Sequence, residues 1–119
     1  MILLVEDDED VRDMLEFTLK SSGHVLELAN HGRAALDALE RQRPCLIILD
    51  LLMPVMTGWQ VLVEMKQRKL DDIPVCVISA LGERIPSEAI ASLRKPFDAK
   101  ELLAIAARYW SHASPTARG

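Results

Sequence analysis

The hydrophobic positions fall into two kinds of run that alternate along the chain. Ile2 to Val5, Cys45 to Leu49 and Val75 to Ile78 are short, uncharged and rich in branched residues, and they read as strands buried on both faces of a parallel sheet. Between them the apolar residues recur at helical spacing. Val11, Met14, Leu15, Thr18 and Leu19 run up to a stop at Gly23; Ala35, Leu36 and Leu39 precede Pro44; Trp59, Leu62, Val63 and Met65 follow Gly58 with their apolar sides inward. Val25, Leu26 and Leu28 form a short, partly alternating strand, and Leu93-Arg94 a brief fifth one before Lys95-Pro96-Phe97. Asp98 caps a last helix from about Ala99 to Trp110. The stretch from Leu81 to Ala91 holds Gly82 and Pro86, so it has room for at most about two turns of helix.

Strands that alternate with helices and carry no polar face predict an α/β fold: a doubly wound, five-stranded parallel sheet with helices on both faces. Residues 1–110 form the domain, and 111–119, small, polar and Pro-containing, read as a C-terminal tail or linker remnant. A chain of 119 residues can bury a full core without disulfides or a structural metal. Cys45 and Cys76 lie inside strand-like runs with no C-x-x-C pairing and read as small hydrophobes. His24, His31 and His112 are dispersed in turn-like or terminal settings, where surface or capping roles suit them better than catalysis. The formal charge is −4 and the Lys and Arg residues are scattered, which argues against a surface for nucleic-acid backbone. The sequence contains no apolar span of membrane length and no leader pattern, so a soluble, cytoplasmic protein without membrane contact is expected.

The chemistry collects at strand ends. Glu6 and Asp7 follow the first strand, Asp50 ends the third, Ser79 the fourth, and Lys95 follows the fifth. In an open α/β sheet this is the edge where ligands bind. Taken singly each residue has a plain reading: Asp8 or Asp10 as a helix cap, Ser79 as a turn residue, Lys95 as a solvated charge. Taken together, three carboxylates converging within about 5 Å repel by roughly 3 kcal/mol per pair at an effective dielectric near 20. One lysine does not offset that; a hard divalent cation such as Mg²⁺ does, in a site of one or two carboxylates, a carbonyl, waters and a phosphate oxygen. A carboxylate beside such an ion can accept a phosphoryl group as an acyl phosphate.

The segments I-L-L-V-E-D-D-E-D-V-R, L-I-I-L-D-L-L-M-P-V-M-T-G, V-I-S-A and K-P-F, in that order, resemble the receiver domain of two-component response regulators over residues 1 to 110. The resemblance implies a flavodoxin-like sheet ordered 2-1-3-4-5 and a cis Lys95-Pro96 bond. It implies Asp50 as phosphoacceptor, Asp7 as a direct Mg²⁺ ligand, Glu6 acting largely through metal-bound water, and the Leu52 backbone carbonyl completing the protein ligands. Ser79 is then the switch hydroxyl and Lys95 its ionic partner. The implied partners are a histidine kinase or histidine phosphotransfer protein upstream and an output domain or protein downstream. The chain would be a signalling domain that catalyses its own phosphotransfer and dephosphorylation rather than an enzyme.

Three features depart from the family pattern. The span from Ser79 to Lys95 is short, which truncates the helix between the fourth and fifth strands; Ser92 stands where a switching aromatic is usual; and Leu52 and Leu81, two residues beyond Asp50 and Ser79, are both apolar. Output is therefore expected to rely on order and disorder of Leu81 to Ala91. The apolar pair predicts slow self-hydrolysis, or simply shields the pocket mouth. The last helix carries two apolar stripes, Leu102/Ile105/Ala106/Tyr109 and Leu103/Ala107/Trp110; one serves the core, and the other is a partner or homodimer surface or a face under the tail or a further domain. Two alternatives to phosphoacceptance are a pseudo-receiver acting as a constitutive binding module and a phosphoaspartyl hydrolase. The second is disfavoured because Asp50-Leu51-Leu52 lacks the second acid of D-x-D.

Overall fold

A computed structural model describes residues 1–80 and 83–113, with side chains through Trp110. In chain order the elements are β1 (Ile2–Val5), α1 (Glu9–Ser21), β2 (Leu26–Ala29), α2 (Gly32–Arg41), β3 (Leu46–Asp50), α3 (Gly58–Gln67), β4 (Val75–Ser79), β5 (Ala91–Arg94) and α4 (Ala99–Ala113). Every strand pair is parallel and the order is β2-β1-β3-β4-β5, the doubly wound flavodoxin-like arrangement expected from the sequence.

The uncharged strands are uncharged because each of their faces meets helices. Leu3, Val5, Ile47, Leu49, Val75 and Val77 pack in one core with α2 and α3; Ile2, Leu4, Leu46, Ile48, Cys76 and Ile78 pack in the other with α1 and α4. The register aligns Val5 with Leu49, Asp50 with Ile78, and Ser79 with Arg94. The residues at the carboxyl ends of β1, β3, β4 and β5 therefore share one edge of the sheet.

Local capping fixes where the helices begin and end. Val11 N donates to Asp8 Oδ1 at 3.0 Å, so Asp8 caps α1, and Ala34 N donates to His31 Nδ1 at 3.1 Å at the start of α2. Thr57 and Gln60 form a reciprocal capping box on α3, and Asp98 and Glu101 exchange the equivalent bonds at α4. Gly23, at φ 90°, ends α1: its amide donates to Lys20 O and that of His24 to Leu19 O.

The periodicity missed some inward positions. Met14 and Val63 are 52% and 55% exposed, and Val61 takes the core position on α3. A helix on a sheet buries only one stripe, and residues on its flanks share the period without sharing the burial. Val25 lies outside β2 and Leu28 is exposed, because β2 is an edge strand. The last helix runs past Trp110 to Ala113. Of its two stripes, Leu102 and Ala106 are buried, and Leu103, Ile105, Tyr109 and Trp110 are partly buried against the same core. Of the second stripe only Ala107 is exposed, and the Trp110 ring meets His24 edge-on at 5.0 Å. Between β4 and β5 the described residues Glu83 to Ile90 contain no helix, although Ile85 and Ala89 still pack against the α2/α3 core and Pro86 is buried. Residues 114–119 of the expected tail, together with Leu81 and Gly82, lie outside the described residues. No helix among the described residues is long and apolar enough to cross a membrane.

Candidate functional site

Asp50 is the last residue of β3 and is 4% exposed. The ladder continues one step beyond it, with Leu51 N donating to Ile78 O at 3.1 Å. The chain then turns back, and Gly58 N donates to Leu51 O at 2.8 Å. A Cβ on Gly58 would stand 2.7 Å from Asp50 O and 2.8 Å from Leu51 Cα, so only glycine lets α3 start this close to the strand end. Within the intervening loop, Met56 N donates to Pro54 O at 2.7 Å, closing a γ-turn around Val55 at φ 69°. A β-branched residue seldom adopts that conformation, and strain of this kind gathers at functional loops. Leu52 is mostly exposed, and its amide donates to Asp50 Oδ1 at 3.4 Å.

The acids after β1 come to the same place. Glu6, Asp7 and Asp50 each offer a carboxylate oxygen, all within 4.8 Å of one another. Glu6 is fully buried: its Oε2 accepts from Asp8 N at 3.2 Å, its backbone carbonyl accepts from Arg12 Nη1 at 3.0 Å, and its Oε1 is without a partner. Burial pushes the Glu6 carboxyl up to about 8, helped by the neighbouring Asp50 carboxylate. Burial also raises Asp50, against the neighbouring Glu6 carboxyl and the charge of Lys95. Lys95 Nζ stands 3.9 Å from Asp50 Oδ1, at the outer limit of an ion pair. An oxygen-only set of three carboxylates, two of them buried and one oxygen without a partner among the described residues, fits a hard divalent cation.

Ser79 ends β4 and is buried; its Oγ has no hydrogen-bond partner among the described residues, so the structure brings it to the edge without joining it to Asp50 or Lys95. The two are linked through the backbone instead, Lys95 N donating to Ser79 O at 2.8 Å just before a cis Lys95-Pro96 bond. Ser92 is exposed on β5. Leu81, the second apolar neighbour expected at the pocket mouth, lies outside the described residues. Two neighbours of the site were assigned no role from the sequence. Arg12 is one of several charges on α1 until its guanidinium is seen under Glu6. Glu83 is an isolated acid until its carboxylate is seen accepting from Ala80 N at 2.6 Å.

Comparison with known proteins agrees with this geometry. Residues 2–107 match the model of the response regulator receiver domain. The chain is 38% identical over 109 residues to response regulator MprA of Mycolicibacterium vanbaalenii, a match covering 87% of this chain and 47% of that protein, and the figures for MprA of Mycobacterium leprae are the same. The chain thus spans about half the length of the curated relatives it matches. Among solved structures, the receiver domain of NtrX from Brucella abortus superposes with a TM-score of 0.84 at 30% identity, covering 95% of this chain and 100% of that one. A CheY-like receiver domain protein from Methanospirillum hungatei gives a TM-score of 0.86 at 21% identity, over 93% of this chain and 94% of that one, a likeness of fold. Five parallel strands in this order, an acidic cluster at their carboxyl edge and a family match over nearly the whole described chain lead to one conclusion: this chain belongs to the receiver domains of two-component response regulators.

Proposed function

We propose that Asp50 accepts a phosphoryl group from a phosphohistidine donor, a histidine kinase or histidine phosphotransfer protein, and that the modified domain presents an altered surface to an output domain or protein. The observation that carries this reading is the convergence of Glu6, Asp7 and Asp50 within 4.8 Å, with Lys95 Nζ 3.9 Å from Asp50 Oδ1. An Asp50 carboxylate oxygen forms the new bond to phosphorus while the bond from phosphorus to the donor imidazole nitrogen breaks, and that nitrogen keeps the electron pair. Asp7 and Asp50 with the Leu52 carbonyl would hold Mg²⁺, and Glu6 would act through its water. When bound, the ion supplies positive charge that offsets the carboxylates and the incoming phosphoryl oxygens.

The chain's own residues do the rest. Gly58 and the Leu51 to Thr57 loop hold Asp50 at the mouth of the sheet. Lys95 lies on the side of the Asp50 oxygen that it pairs with, placed to stabilise the transferred group. Ser79 Oγ, buried and unpartnered, is free to take a hydrogen bond to a phosphoryl oxygen, which would tie the modification to β4.

Incubation with Mg²⁺ and acetyl phosphate, followed by intact mass measurement, tests the reading. One adduct of the mass of a single phosphoryl group is expected, removed by chelation of the metal and by Asp50→Asn. No adduct, or one that survives Asp50→Asn, overturns it.

A further inference from the structure

At the end of β4 the ladder is cut short in a way that leaves one amide to another group. Ile78 O accepts from Leu51 N, so Ile78 turns its peptide groups toward β3, while Ser79 O accepts from Lys95 N and turns toward β5. By the alternation of a strand, the Ala80 N–H points back toward β3, at the strand end that carries Asp50. The carbonyl the ladder would offer it next is Leu51 O, and that carbonyl accepts from Gly58 N. The Ala80 amide is instead taken by Glu83 Oε1 at 2.6 Å. The other carboxylate oxygen, Oε2, is buried and has no partner among the described residues. A carboxylate is thus held at the edge where the proposed reaction brings in a phosphoryl group, on a donor well suited to an anion.

The residue after Glu83 is tied to α3. Trp59 Nε1 donates to Arg84 O at 3.2 Å, and Trp59, Leu62 and Val63 line a cavity of about 200 Å³ with Arg84, Pro86, Ser87 and Glu88. Glu83 N also donates to Ala80 O at 3.3 Å, so it is a shift of the Glu83 backbone, and not of its carboxylate alone, that would be felt at the Trp59 indole.

We propose that Glu83 is an intramolecular anionic latch: its carboxylate occupies the Ala80 amide in the unmodified domain, and a phosphoryl group on Asp50 displaces it, freeing the Glu83 to Ile90 segment from α3. The inference rests on Asp50 as phosphoacceptor and names how that site is regulated. The competition is between two anions for one N–H. The phosphoryl group wins only because it is anchored covalently on Asp50, so the latch slows entry and converts occupancy into release of the segment. This supplies an output route where Ser92 provides no aromatic rotamer.

The test compares wild type, Glu83→Gln and Glu83→Ala, each also carrying Trp110→Phe so that emission reports Trp59 alone. The rate of phosphoryl adduct formation from acetyl phosphate with Mg²⁺ is read by intact mass, and Trp59 emission is read before and after addition of beryllofluoride with Mg²⁺. Replacing the charged acceptor by a neutral one, or deleting it, is expected to raise the rate by about tenfold, since a charge-assisted hydrogen bond no longer has to be displaced. Beryllofluoride is expected to red-shift Trp59 in the wild-type latch, whereas Glu83→Ala starts already shifted. Equal rates in the three proteins overturn the latch and leave Asp50 as phosphoacceptor intact. Absence of an adduct in all three overturns both. Should the variants fail to fold, an unmoved Trp59 emission on beryllofluoride binding to the protein with Glu83 intact overturns the latch alone.

Discussion

The connections from β3 to β4 and from β4 to β5 join neighbouring parallel strands of one sheet, yet they are built in opposite ways. The first has the ten-residue helix α3, with a capping box at Thr57 and Gln60, a glycine pressed against Asp50 O, and Val61, Leu62 and Met65 in the core. The second has no helix among its described residues, and rests on Ile85, Pro86, Ala89, the backbone bonds of Glu83 N to Ala80 O, Ala89 N to Pro86 O and Ile90 N to Val75 O, one indole hydrogen bond and one carboxylate on an amide. The two differ in how many interactions determine each position. Asp50 is held by ladder, loop and glycine at once, so its geometry survives the loss of any one weak contact. Glu83 to Ile90 depends on a few polar contacts near the site, and regions with few buried apolar contacts open at low free energy. The domain thus pairs a tightly determined Asp50 with a neighbouring segment held by fewer contacts.

The largest effect that would break this contrast is at Gly58. A methyl group there meets backbone on β3 at 2.7 and 2.8 Å, and neither Asp50 O nor Leu51 Cα can rotate away. Gly58→Ala is expected to cost about 3 kcal/mol, at the upper end of overpacking effects, and to displace Asp50 enough to abolish phosphoryl acceptance. Urea unfolding midpoints and intact mass would check the two parts. A variant of wild-type stability that still takes the phosphoryl group would mean that the β3 end is as adaptable as the β4–β5 segment.

Much of this was legible in the chain, and the reason is physical. Strands buried on both faces must be uncharged throughout, so β1, β3 and β4 announce themselves, and their alternation with helices leaves few parallel arrangements. The acids and Ser79 stood out because they interrupt those runs where the sheet opens. Which flank of a helix is wetted was not legible, because Met14 and Val63 share the period of Leu15 and Leu62 and differ only in what stands opposite. Nor was the partial packing of the second stripe on α4, where Trp110 meets His24 beside the α1/α4 core. Glu83 was invisible for the same reason: its partner is a backbone amide, and backbone amides have no sequence.

A smaller effect sharpens the same contrast. Thr57 Oγ1 accepts from Gln60 N at 3.2 Å and Gln60 Oε1 accepts from Thr57 N at 2.8 Å. Thr57→Ala removes half of this box and is expected to cost about 1 kcal/mol by urea unfolding. Because ladder and glycine still hold Asp50, the rate of phosphoryl acceptance should stay close to wild type. A large fall in that rate would show that α3 capping, rather than redundancy, fixes the acceptor.

The smallest effect lies at the opposite edge of the sheet, where titration should leave the site untouched. His24 follows the glycine that ends α1 and packs edge-on against Trp110; its Nδ1 is buried without a partner. Burial holds its pKa below the ordinary 6.5, and the positive amino terminus at Met1 adds to the effect. In the unfolded chain that depression is absent, so between 6.5 and the folded value the unfolded state binds more protons than the folded one. The stability that neutral His24 contributes is therefore fully present above 6.5 and declines as pH falls through the folded pKa. Glu6 and other acids titrate as well, so the measurement is a difference: urea midpoints of wild type and His24→Phe at about pH 7.5 and about pH 5.5, chosen to bracket an unperturbed histidine. Phenylalanine keeps an edge for Trp110 and cannot be protonated, so the wild type should lose more stability than the variant on acidification, with equal initial rates of phosphoryl acceptance for the two proteins at the higher pH. Parallel pH slopes would mean that the His24 contact opens as readily as the unfolded chain, and a rate difference would mean that the α1/α4 side communicates with Asp50.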